Sequence, residues 1–131
     1  MLQTTESFHI DYCEEEMLPY AFVYLREKYP GWKGWRMNYV FHEELMLSDF
    51  VIQRITRYRT YYAIAHVVVT ESISKWHLQK LERAAALYRQ NPNCIVEKII
   101  IIPAGCATGI IPKHIKIIQL KEFSILQQHS P

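Results

Sequence analysis

The stretch "RITRYRTYYAIAHVVV", residues 54–69, gathers two kinds of side chain able to do chemistry. Arg54, Arg57 and Arg59 alternate with Tyr58, Tyr61 and Tyr62. Guanidinium groups pair with phosphate oxygens and phenol rings stack on bases, so this composition suits contact with nucleic acid. It equally suits a hairpin with solvated arginines and cross-strand tyrosines. Twelve residues beyond Arg54 comes His66, a titratable imidazole inside a run of valines and alanines. Strand alternation places it on one face with Tyr62, Ile64, Val68 and Thr70. Cys106 with His66 or His114 would make a thiol and base, although no spacing requires it. Gly105 and Gly109 lie in a loop without the lysine and serine of a phosphate-binding loop. Trp32 and Trp35 in "GWKGW" are either a binding platform or a cap over the core, and their size predicts burial.

Charge is unevenly spread. Residues 1–44 hold eight acidic against four basic side chains, whereas residues 45–90 hold three against seven. An acidic first third beside a basic middle fits a carboxylate-lined site next to a phosphate-binding surface, and it also fits ordinary solvated faces. The chain is 131 residues long and half apolar, which is enough for one core and one domain spanning 1–131. No apolar run is long enough to cross a bilayer and the N-terminus lacks the pattern of a signal peptide, so a cytoplasmic protein is expected. Cys13, Cys94 and Cys106 are odd in number and far apart, which predicts reduced thiols.

These groups need elements to position them. Asp11 with Glu14 has capping-box spacing, and Met17, Leu18, Ala21, Phe22 and Leu25 come after it at helical intervals. Pro19 predicts either a kink or a helix that begins there. Residues 35–41, 49–56 and a third segment ending in "YYAIAHVVV" read as an antiparallel meander. Ser74 is the expected N-cap of a helix reaching about Gln90, with Leu78, Leu81, Ala84, Ala85 and Tyr88 on one stripe. "CIVEKIIIIP", 94–103, reads as a central strand buried on both faces, and 114–120 as a last strand. The order predicts an α/β (α+β) sandwich, a mixed sheet flanked by helices, with a core of about 11–120 and a flexible tail from about 124.

That order, with an acidic first helix, "HEELMLSDFVIQ" entering the second strand and "YYAIAHVVV" as the third, resembles the PD-(D/E)XK nuclease superfamily over roughly residues 11–102. The resemblance implies a restriction-endonuclease-like fold. It also implies an Asp opening the second strand, matched by Asp49, and an acid-x-Lys on the third that together hold a divalent metal and activate water. The acid-x-Lys position falls at or near His66, Val67 and Val68, where neither carboxylate nor lysine stands.

Three readings of His66 compete. It is a core histidine bonded to Asp49 or to a backbone carbonyl, or a replacement ligand beside Asp49 that favours Zn²⁺ or Mn²⁺. In the third, the catalytic set has migrated, with Glu71 as acid and Lys75 or Lys80 as base.

The expectation is a degenerate, non-catalytic nuclease-fold domain retained for binding DNA or RNA or for protein assembly, without organic cofactor or membrane. Nucleic-acid contact is assigned to Arg54, Arg57, Arg59, Tyr58 and Lys75. One alternative is an active Mg²⁺- or Mn²⁺-dependent endonuclease. Its catalytic set is Asp49, Glu71 and His66, and its metal is held by Asp49, His66 and an acid of the first helix, Glu14, Glu15 or Glu16. Another is a structural module that homodimerises through a flat apolar edge strand.

Overall fold

The structure, a computed structural model, describes residues 16–43, 45, 47–70 and 72–124. The Asp11–Glu14 capping box, Glu15, Glu71 and the tail beyond Ser124 lie outside the described residues. Residues 16–28 form helix α1. Met17, Ala21 and Leu25, four apart, are its fully buried stripe. Pro19 sits within the helix rather than at its first residue and is exposed, so its ring stays off the packed face.

Five strands complete the sheet: β1 (Arg36–His42), β2 (Leu47–Ile55), β3 (Thr60–Val67), β4 (Cys94–Ala104) and β5 (Ile115–Ser124). Between β3 and β4 lies helix α2 (Lys75–Tyr88). The strands form one sheet in the order β1-β2-β3-β4-β5. β1, β2 and β3 are antiparallel neighbours, whereas β3, β4 and β5 run parallel. The expected central strand is therefore present: Tyr62 pairs with Val96 and Val67 with Ile101. Ile99 to Ile102 are buried because a helix covers each face.

One face carries α1 over Phe50, Ile52, Ala63, Ala65, Ile99 and Ile101. The other carries α2, whose Leu81 and Ala84 pack with Val51, Ile64, Ile100 and Ile102. Alternation along each strand divides these two cores, and alanines on both sides of the contacts let the layers approach closely. This is a mixed sheet flanked by helices, as expected for the α+β sandwich.

Two connections shape the ends of the sheet. The β2–β3 turn is held by Thr56, whose backbone N–H donates to the Arg59 carbonyl at 2.8 Å and whose Oγ1 accepts from the Arg59 N–H at 3.1 Å. The β4–β5 crossover has no helix. Its chain returns over the α2 face, where Cys106, Ile111 and Ile115 join that core and the Ile73 N–H donates to the Ala107 carbonyl at 2.9 Å. Among the described residues no helix is long and apolar enough to cross a membrane.

Candidate functional site

Asp49 stands near the start of β2 and His66 near the end of β3. The antiparallel register, with Phe50 opposite Ala65, sets them across from each other on the α2 face one step further along. Asp49 is 1 % exposed and His66 is buried with it. A carboxylate in such a place requires donors, because losing its hydration costs several kcal/mol, to order of magnitude. His66 supplies one: its Nδ1 lies 2.7 Å from Asp49 Oδ1. A bond in which the carboxylate oxygen accepts is the one made by the tautomer that carries its proton on Nδ1.

The other oxygen, Oδ2, faces Nε2 of His42, two residues beyond the Val40–Asp49 pair on β1, at 3.4 Å. That distance suits an ion pair, but the two atoms lack the alignment of a hydrogen bond. The carboxylate is thus held firmly on one side and loosely on the other.

Helix α2 closes over this cluster with two polar residues. His77 is buried at the third position of the helix, and its ring centroid lies 6.3 Å from that of His66. Ser74 and His77 cap the helix reciprocally. The His77 N–H donates to Ser74 Oγ at 3.4 Å, and His77 Nδ1 accepts from the Ser74 N–H at 3.0 Å. The cap needs an unprotonated Nδ1. Burial, and then the neighbouring His66, hold the His77 imidazole below its usual range. At the far end of α2, Tyr88 lies beside His42, with centroids 5.9 Å apart. Burial and the Asp49 charge push its phenol up.

The remaining candidates lie elsewhere. α1, which carries Glu16, packs on the opposite face of the sheet from Asp49. Val68, which the resemblance sets where a lysine is expected, is buried. Lys75 is exposed at the first turn of α2, and Lys80 donates to the Leu45 carbonyl at 3.2 Å. Cys106 is buried, which raises its thiol pKa, and His114 is bonded to Glu82 at 3.0 Å instead. Among the described residues no three His, Cys, Asp or Glu side chains converge as ligands for a cation.

The opposite end of the sheet has a different chemistry. Arg57 and Tyr58 are exposed in the β2–β3 turn, the guanidinium 5.5 Å from the ring centroid. Arg54 lies over Trp35 at 5.9 Å, and Trp35 meets Tyr61 at 6.5 Å and Tyr29 at 4.9 Å. Trp32 occupies a single 3-10 turn, Gly31–Lys33, with Lys33 Nζ 5.1 Å from its ring.

The sequence predicts burial of both tryptophans. Trp35 is partly buried against the α1 core, whereas Trp32 is 82 % exposed. Among the described residues no helix or strand buries Trp32, which stands in a three-residue turn between Pro30 and Gly34 (φ +93°). Neither residues 28–42 nor residues 50–70 contain an acid, while together they hold six cations.

The two ends do not meet. Asp49 and Arg57 are eight residues apart on and just beyond one strand, roughly 20–25 Å at a strand's rise. Arg54, five residues from Asp49, points to the other face of the sheet. The arginines therefore do not flank the Asp49 cluster.

The chain is an α+β protein with a five-stranded mixed sheet. No family model matches its sequence, and no curated protein and no solved structure matches it either.

Proposed function

We propose that this chain is a non-catalytic domain of the PD-(D/E)XK nuclease type, retained for contact with nucleic acid through the basic, aromatic end of its sheet. The observation that carries the reading is Trp32 and Tyr58 exposed at that end, each with a cation over its ring, beside Arg54, Arg57 and Arg59 in segments free of acids. The antiparallel β1–β2–β3 meander and the α2 passage to a parallel β4 are compatible with the family resemblance. The state of Asp49 supports loss of catalysis: a carboxylate buried under α2 and bonded to His66 is not presented to a phosphodiester, and Val68 has no proton-transfer chemistry.

Binding to an oligonucleotide, measured by fluorescence anisotropy over a range of salt, tests the reading. The logarithm of affinity should fall linearly with the logarithm of salt. Arg57→Ala with Arg59→Ala should flatten that slope by about 0.7–0.9 for each phosphate that is no longer neutralised. Absence of binding at low salt would remove the proposal. Incubation with Mg²⁺ or Mn²⁺ tests the active-nuclease alternative: DNA should stay intact, and cleavage abolished by Asp49→Ala would establish that alternative instead.

A second reading, assembly with another copy, draws on β1. It is an edge strand of the described sheet, with Tyr39 and Phe41 about half exposed beside Phe22 on the α1 side. Such an edge is a template for pairing. Sedimentation velocity distinguishes a dimer broken by Phe41→Lys from a monomer.

A further inference from the structure

We infer that the basic end of the sheet takes single-stranded nucleic acid, with bases stacked on the open faces of Trp32 and Tyr58. The inference rests on the proposed function and specifies its ligand.

The Gly31–Lys33 turn is closed by two backbone hydrogen bonds. The Lys33 N–H donates to the Pro30 carbonyl at 3.1 Å and the Gly34 N–H to the Gly31 carbonyl at 2.9 Å. The turn rests on Arg54, whose Cγ and Nε would lie 3.8 Å from a Cβ added at Gly34. Arg54 is in turn two residues from the Thr56–Arg59 turn that carries Tyr58. An indole 82 % exposed and a phenol 74 % exposed thus stand on two hydrogen-bonded turns at the same end of the sheet.

A large aromatic surface left in water contributes nothing to the core. Lys33 and Arg57 each cover one side of a ring, which leaves the other side for a planar partner. Base faces are available to such a partner only when the bases are unstacked from one another, as in a single strand; in a duplex they are hidden. Phosphates between two stacked bases would meet Arg54, Arg57 and Arg59, which supply charge without reading base edges. The expected preference is for strand state, with little sequence selectivity.

The test compares labelled oligo(dT), oligo(U) and a duplex, each of about 12 nucleotides or base pairs per strand, within the site sizes of single-strand binders. One or both single strands should bind at least about tenfold more tightly than the duplex. Trp32→Ala with Tyr58→Ala should lower single-strand affinity by about tenfold or more for each stack removed. The same pair should leave the salt slope unchanged because no cation is lost. Both side chains are exposed, so the variant should melt with the parent, and Trp32→Phe with Tyr58→Phe should retain most of the binding.

Equal or tighter binding of the duplex, with a slope that still depends on Arg57 and Arg59, would overturn this inference and leave the proposed function standing. So would single-strand affinity unchanged in the alanine pair. Binding to none of the three probes would overturn both.

Discussion

The two ends of the sheet use their polar side chains in opposite ways. At the end where β2 begins and β3 stops, Asp49, His66 and His42 are buried under α2, Asp49 hydrogen-bonded to His66 and within ion-pair distance of His42. Where β2 stops and β3 begins, Arg57, Tyr58 and Arg59 are exposed, and among the described residues their contacts are with residues of the same turn. Buried polar groups in contact are costly to disturb but unavailable to a ligand; exposed ones are cheap to change and free to bind. A residue of catalytic type at a strand end is therefore no guide to function until its burial and partners are known.

The largest effect should come from Asp49→Ala. It leaves two buried imidazoles without the carboxylate that both contact, and should cost about 3 kcal/mol, or about 10 °C in Tm by calorimetry. If that variant melts with the parent, the cluster does not hold the fold and the contrast between the ends fails.

The two histidines on Asp49 sharpen the contrast within the cluster. His66, bonded at 2.7 Å, should cost about 2 kcal/mol when changed to Ala, measured by urea unfolding. His42, at 3.4 Å and unaligned, should cost less in its polar contribution, so His42→Phe should be milder than His66→Phe. The reverse order would mean that the loosely held side of the carboxylate is the important one.

A smaller effect depends on pH. The folded pKa of His77 lies below its unfolded value near 6.5, so the unfolded chain binds more protons in the window between the two. Stability is fully present above pH 6.5 and falls as the pH is lowered through that window. His77→Gln keeps a side chain suited to the third position of a capping box and removes the titration. Its Tm between pH 7 and 5 should fall less than the parent's. A Glu82 contribution appears separately, below the ordinary carboxylate range, because Lys98 foremost, with His114, holds that carboxyl down.

Smallest of all should be the stability change in Arg57→Ala with Arg59→Ala, about 0.5 kcal/mol or less, because both side chains are solvated in a turn closed by the Thr56 hydroxyl and the backbone.

Much of the fold is legible where a local pattern controls it. The isoleucine run of β4, the Ser74 cap and the stripe of α2 all appear within a residue or two of the expected bounds. Alternation alone also predicts that Arg54 and Asp49, an odd number of residues apart, face opposite sides of the sheet.

The Asp49–His66 bond needs more, because the pairing depends on the register set by the turn at 56–59. A one-residue slip there would send His66 to the other face. His42 carries no signal, since only β1–β2 pairing brings it to Asp49. His77 does carry one: it stands three residues after Ser74, the reciprocal position of a capping box, although a histidine is not the usual occupant. Trp32 departs from expectation because size predicts burial only where a facing element exists, and among the described residues the three-residue turn between Pro30 and Gly34 is covered by none.

The most direct test of this separation between the ends is the affinity of folded Asp49→Asn for a single-stranded oligonucleotide at low salt, with circular dichroism to confirm the fold. The substitution keeps the shape of the side chain and removes its charge at the buried end, roughly 20–25 Å from the turn that is proposed to bind. Affinity should stay within about twofold of the parent, a difference of about 0.4 kcal/mol. Loss of binding by about tenfold or more in a variant that remains folded would refute the separation, because the buried cluster would then take part in the recognition assigned to the other end of the sheet.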